Sequence, residues 1–423
     1  MKLLKKIRRI YLIDVFLNLK GNPRACIWLE PLWGIPYNLY VPYVALFQAS
    51  LGMKPSDIGI VTSIFYAAQA ISSILSGVVT DKLGRRLTTL IFDTLSWSVP
   101  TLLWMFATNK YWFMVAAFFN GLWEITDNSW GLLMIEDADS DKIVHMYSLT
   151  SVMGLIAAFF APISAVAVAR YGVTGTMRVL YGITCVMMTT KFITLFLWSK
   201  ETSVGKRRRE LTKNKSIFVS LYELKDVFQK IICEKRMVLT LLIMAAFSLV
   251  NALSTDYFGL FMKKELFIDE SNMALFTMVK SIVRLVCMFL LARVISADKF
   301  LRPMVAAWGM FILGQIIMLV NPGGAFGIPL AFVQVFFEAI ALSILYPMTS
   351  TILFINADKE ERARINGLVL ATVSLVTAVF PAIIGRIADV NLKAPFIAII
   401  IIYIFAIYLT FRISKLPERK ENA

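Results

Sequence analysis

Nine ionisable side chains stand inside otherwise apolar stretches of the chain: Glu30, Asp93, Glu124, Asp127 and Lys191 in the first half, and Asp256, Lys280, Arg284 and Glu338 in the second. A charged side chain in hydrocarbon costs about 2.5 to 3.5 kcal/mol on insertion scales, so such residues face a cavity and a partner. Asn120, Glu124, Asp127 and Asn128 follow one another at spacings that put them on one stripe of a helix, flanked by Trp123 and Trp130. Two carboxylates a turn apart repel each other, and a partly dehydrated pair of this kind can take up and release a proton. Glu124 and Asp127 are therefore candidates for proton coupling, with Asp93 and Glu338 as further ones. The competing reading is that each carboxylate pairs with a cation such as Lys191 and only holds helices together. Lys280 and Arg284 are four residues apart and share a face, with Asp256 and Glu338 as expected counter-ions. They bind an anionic or hydroxyl-rich solute, or form an interhelical lock, which is the preferred expectation.

The first apolar stretch carries Trp28, Glu30, Trp33, Tyr37, Asn38, Tyr40 and Tyr43 among Pro31, Gly34, Pro36 and Pro42. Proline and glycine interrupt the helical hydrogen-bond ladder, which is tolerated in a bilayer where neighbours or water satisfy the freed groups. Aromatic faces there can stack on sugars or organic cations. Glu30, Trp33, Tyr37, Asn38, Asn120, Asn128, Asp256, Lys280 and Arg284 are the expected substrate-cavity residues, while Trp28, Trp112 and Trp198 fit an interfacial belt. Other chemistry has no support. The single histidine, His145, has no Cys or His partner nearby in sequence, and Cys26, Cys185, Cys233 and Cys287 are scattered, so neither a metal site nor a disulfide framework is expected. No GxxxxGK[ST] loop is present, no cofactor is implied, and an enzyme's nucleophile–base constellation is lacking.

The elements that must position these residues are membrane spans. Of 423 residues, 58% are hydrophobic and 17% charged, with a mean hydropathy of +0.71, far too apolar for a soluble domain of this size. The net charge of +15 lies mostly between or beside apolar segments, where topology and anionic lipid explain it better than nucleic acid does. Residues 1–25 read as a cytoplasmic interfacial arm, with Leu3, Leu4, Ile7, Ile10, Tyr11 and Val15 at helical spacing among basic residues. Apolar segments near 26–50, 57–80, 87–108, 111–135, 146–169 and 177–199 form a first series within 26–199. A basic connector follows at 200–236, with Lys206 to Arg209 and an amphipathic run from Ile217 to Ile231. The second series, within 237–412, falls near 237–262, 272–293, 303–320, 328–354, 365–387 and 395–412, leaving a tail at 413–423. Lys and Arg are several times commoner at one set of segment ends, which puts both termini in the cytoplasm of a plasma-membrane protein.

Between the second and third segments the chain reads GVVTDKLGRR, Gly77 to Arg86. Gly77 permits close helix packing, Gly84 permits chain reversal, Lys82, Arg85 and Arg86 mark a cytoplasmic loop, and Asp81 suits the positive end of another helix. The spacing Gly-x-x-x-Asp-Lys-x-Gly-Arg-Arg resembles, residue for residue, the signature loop of the major facilitator superfamily. A partial repeat, Asp298 to Arg302, occupies the matching place in the second half, with Leu301 and Val294 where the glycines would be.

The resemblance implies an all-α membrane fold of 12 transmembrane helices in two pseudo-symmetric six-helix bundles. It also implies that Asp81 meets the start of the eleventh helix near Asn366 and Gly367, and that Arg85 meets Glu136 or Asp137, latching the halves on the cytoplasmic side. The expected activity is secondary active transport of a small organic solute by alternating access, coupled to protons rather than sodium, with a sugar or glycoside preferred. A proton-driven drug exporter is the alternative, although Ala161-Pro162-Ile163-Ser164 lacks the further glycines of that subfamily's signature. A transport-inactive sensor or scaffold is the alternative of another class. The expected partners are the solute, the coupling ion and the bilayer, with no nucleic acid, and the expected state is a monomer.

Overall fold

A computed structural model describes residues 11–139, 142–213, 224–291, 300–356 and 362–416, and every regular element among them is helical. Only helices and closed barrels satisfy all backbone groups within a bilayer, so an apolar chain without strand periodicity is left with one solution. Seven stretches are long and apolar enough to cross a membrane: Pro55–Leu83, His145–Trp198, Lys235–Lys264, Leu301–Leu319, Gly324–Leu353, Ile365–Ala388 and Ala394–Ser414. His145–Trp198 is much longer than one crossing needs, and Gly172, at φ 71°, kinks it where the fifth and sixth segments were expected to part.

Other apolar segments are broken for identifiable reasons. The first is divided into Pro31–Tyr40, a short turn Val41–Tyr43 and Val44–Ser50, following its prolines. The third runs as Arg85–Asp93, a π-helical turn Thr94–Ser98 and Val99–Phe106. Pro100 has no N–H to give the carbonyl of Ser96, and the side-chain amide of Asn120 fills that vacancy at 2.7 Å. The fourth breaks between Lys110–Asn120 and Trp123–Ile135, where Gly121 lies so close to the Pro55–Leu83 helix that a Cβ would stand 2.5 Å from the carbonyl oxygen of Phe65. Ser72 donates to the carbonyl of Gly121 at 2.8 Å at the same contact. The expected single stripe is thus cut: Asn120 belongs to another helix from Glu124, Asp127 and Asn128.

The arm also differs from expectation. Tyr11–Asn18 and Gly21–Trp28 are separate helices, so no boundary falls at residue 25, and Val15 and Leu19 pack into a core with Leu133, Met134, Met146, Leu149 and Leu195. Trp28 remains at the surface, stacked on Phe16, with Arg24 4.2 Å over its ring. The beginning of the arm, part of the connector's amphipathic run and Asp298–Lys299 of the partial repeat lie outside the described residues.

Pro55–Leu83 and Arg362–Ala388 run antiparallel in close contact, Gly59 against Pro381, Gly385 against Pro55 and Gly367 beside Ser73. Hydrogen bonds that join the chain before residue 213 to the chain after 224 include Tyr43 to the carbonyl of Ser271, Ser56 N–H to Asp389, Tyr257 to the carbonyl of Pro55, and Ala382 N–H to Ser63. These lie toward the end remote from the Gly77–Arg86 turn.

Candidate functional site

In the first half, the helix breaks bring ions from four segments together. Lys191 donates to Glu30 at 2.8 Å, and its ammonium lies 5.8 Å from the centre of the Trp33 ring and 5.7 Å from that of Trp130. Asp93 is buried within electrostatic reach of Lys191, Glu30 and Asp127. Glu124 is buried and accepts from Gln69 at 2.7 Å. Asp127 is exposed although its neighbours Glu30, Asp93 and Glu124 come from other segments or from one turn earlier, so it faces an interior gap. Trp33 is stacked on Tyr37 with ring centres 4.7 Å apart, and Trp97, on the π-helical turn, closes edge-on to both.

In the second half, Lys280 donates to Glu338 at 2.6 Å, and Gln334 donates to the other oxygen of that carboxylate at 2.8 Å. Arg284, one turn from Lys280, lies 4.9 Å over the ring of Tyr346 and forms no ion pair among the described residues. Asp256 points elsewhere, toward Thr62 and Tyr66 of the first half. Its Oδ2 is buried without a hydrogen-bond partner. Tyr37, Tyr66 and Tyr346 come within electrostatic reach of one another, which joins the two halves at mid-depth.

At the charged turn, Gly84 has φ 88°, a conformation that reverses the chain between Pro55–Leu83 and Arg85–Asp93 without a Cβ penalty. Arg85 is buried and holds Glu136 through Nε at 3.0 and 3.1 Å and through Nη2 at 2.9 Å, while Nη1 reaches Asp81 at 2.9 Å. Such forked contacts fix geometry as well as charge. Glu201 accepts from the backbone N–H groups of Arg85 and Arg86 at 2.9 and 3.1 Å, capping the helix they start. Arg86 donates to the carbonyl of Phe196 and stacks 3.8 Å over its ring. The connector helix Ser203–Thr212 closes the arrangement: Thr202 donates to Glu136 at 2.5 Å, Ser203 to Asp137 at 2.6 Å, and Thr212 to the carbonyl of Asp81 at 3.1 Å.

The chain matches the family model of the Major Facilitator Superfamily over residues 34–320 and again over 257–423. It belongs to that superfamily. The protein is a multi-pass membrane transporter, acting on a small-molecule solute in a lipid bilayer. Solved superfamily-like structures share its fold. A nucleoside transporter, NupG, superposes with a TM-score of 0.71 at 14% identity, covering 94% of this chain and 100% of that one. A POT family transporter in complex with a thioalcohol-conjugated peptide gives 0.70 at 13% identity, covering 93% and 95%. The human organic anion transporter MFSD10 gives 0.61 at 12% identity, covering 92% and 100%. No curated protein matches the sequence.

Several expected partners in the transporter are replaced. Lys191 serves Glu30 rather than Glu124 or Asp127, because the broken first segment delivers Glu30 to its depth, and Glu30 is accordingly buried. Asp256 is not a counter-ion of Lys280 or Arg284, since its position on Lys235–Lys264 turns it toward Thr62. The amides of Asn38, Asn120 and Asn128 donate to Gly34, Ser96 and Thr80. Arg85 meets Glu136, whereas Asp137 is taken by Ser203. Among the described residues Asp81 bonds to Arg85 and not to Asn366 or Gly367, and Gly367 stands nearest the carbonyl of Ser73. A Cβ at Gly77 would meet nothing within 4 Å, so that glycine makes no close packing here. Glu201 escaped the sequence reading. Its one signal was an acid placed directly after an apolar segment and ahead of a basic run.

Proposed function

We propose that this superfamily member is a proton-coupled secondary transporter that moves a small polar organic solute across a cytoplasmic membrane by alternating access. In this reading residues 26–199 and 237–412 are two six-helix halves that rock about a mid-depth site, both termini are cytoplasmic, and a single chain is the working unit. The observation that carries it is the first-half cluster, in which four carboxylates, Glu30, Asp93, Glu124 and Asp127, gather near one lysine, Lys191, that is paired with Glu30, and Asp127 is open to an interior gap. A proton taken up there brings the cluster toward neutrality, and a change in charge is what couples an ion to a conformational step. The cross-half bonds of Tyr43, Ser56, Tyr257 and Ala382 at the end remote from the charged turn favour a state closed on the outer side. A sugar or glycoside is the second reading, carried by the stacked Trp33–Tyr37 pair, although the amides counted toward it are engaged within the protein.

The test is solute flux in proteoliposomes with an imposed pH gradient. Asp127→Asn and Glu124→Gln are expected to abolish gradient-driven accumulation while leaving exchange of solute down its own gradient. Undiminished accumulation in both variants would refute proton coupling through this cluster.

A further inference from the structure

We propose that the transported solute is a zwitterion, bound with its cationic end on Asp256 and its anionic end near Arg284. This rests on the mid-depth site proposed above and assigns that site a charge pattern. Two opposite charges reach the space between the halves without neutralising each other. Asp256 comes from Lys235–Lys264; Thr62 hydrogen-bonds its carboxylate, but its buried Oδ2 has no hydrogen-bond partner and no cation is paired with it among the described residues. Arg284 comes from Asn272–Leu291 and rests on the Tyr346 ring, with no carboxylate bonded to it among the described residues. Tyr66 links the two positions, being within reach of both Asp256 and Tyr346, and Tyr37 adds a third phenol from the first half. Tyr346 is 43% exposed, so its ring is not sealed by protein.

An unpaired carboxylate and an unpaired guanidinium at mid-depth are each costly to maintain, and a ligand that satisfies both removes the two penalties together. Nearby charges that need no ligand show the contrast. Lys280 is neutralised by Glu338, and Lys191 by Glu30, so neither pair asks for a charged solute. A neutral sugar leaves Arg284 without an anion, and a simple organic cation satisfies only Asp256. A molecule with an ammonium and a carboxylate, such as an amino acid or short peptide, satisfies both, and the phenols supply hydroxyls for the backbone or side chain between them.

The experiment compares thermal stabilisation and proteoliposome exchange with probes of defined charge: alanine, dialanine and glycine betaine as zwitterions, choline as a cation, lactate as an anion, and methyl glucoside and uridine as neutral solutes. At least one zwitterion is expected to stabilise the protein and to exchange. Asp256→Asn and Arg284→Gln should each weaken that zwitterion about tenfold or more. The first variant should retain lactate better than choline, and the second the reverse. Stabilisation by neutral solutes alone, or equal weakening of zwitterionic and neutral probes in both variants, would overturn the assignment. Apparent melting temperature without ligand identifies a variant that has lost its fold, and Arg284→Lys, which keeps the charge, then carries the test: it should retain most zwitterion binding, and its failure to do so overturns the assignment. Gradient-driven flux of a neutral solute that depends on Asp127 would leave proton coupling intact while removing the zwitterion.

Discussion

Glu201→Ala offers the sharpest test of how the charged turn is held. The carboxylate accepts from the amides of Arg85 and Arg86 at 2.9 and 3.1 Å, the first donors of a helix that has no partners for them within itself. A hydrogen bond to a charged group contributes about 1.5 to 3 kcal/mol, and loss of a capping side chain costs about 0.5 to 2 kcal/mol. Glu201 is half-buried, so water recovers part of the loss, and about 2 kcal/mol is a reasonable sum for the pair. The fork of Arg85 on Glu136 stays in place, so the effect should be local. At about 1.4 kcal/mol per factor of ten, the amides at the start of Arg85–Asp93 should exchange with deuterium about thirtyfold faster. Hydrogen-exchange mass spectrometry on peptides spanning residues 84–93 measures this directly. Glu201→Gln, which keeps an acceptor without the charge, should fall between wild type and alanine. Unchanged protection in the alanine variant would refute the capping role, whatever happened to transport.

Two further outcomes follow from other contacts. Gly59→Ala would place a Cβ 2.1 Å from the carbonyl oxygen of Pro381, backbone that cannot swing aside, so the Pro55–Leu83 and Arg362–Ala388 helices must separate. Spin labels at Ser56 and Asp389 should report a longer distance than in wild type; an unaltered distance would contradict this close packing. Asp269, in the loop before Asn272–Leu291, is held below the usual carboxylate range by the hydroxyl and amide of Ser271. A depressed carboxylate stabilises the fold above its unfolded-state value of about 3.9 and loses that contribution as pH falls through its folded-state value. Asp269→Ala should therefore lower the melting temperature more at pH 7 than in strong acid, where the carboxyl is protonated in both states, and a loss that does not shrink as pH falls would rule out the linkage.

Much of the architecture was legible in the sequence because hydropathy and charge are properties of short stretches. Apolar runs of spanning length, the GVVTDKLGRR turn and the nine ions within apolar segments could all be read in order, and Glu338 was an expected counter-ion of Lys280. Glu201 was not found because capping depends on where a side chain folds back, and it meets Arg85 from 116 residues away.

The sequence alone determined that this chain must be helical in a bilayer and which few polar groups must be accommodated there, since hydropathy and the presence of a charge belong to the residue type. Tertiary structure decided who accommodates whom. Each residue turns a helix by about 100°, so the interruptions at Val41–Tyr43, Thr94–Ser98 and Gly121 re-aim the side chains beyond them. Helix breaks and packing together gave Lys191 to Glu30 and sent Asn120 to Ser96, while packing between the halves turned Asp256 toward Thr62 and laid Arg284 over the Tyr346 ring.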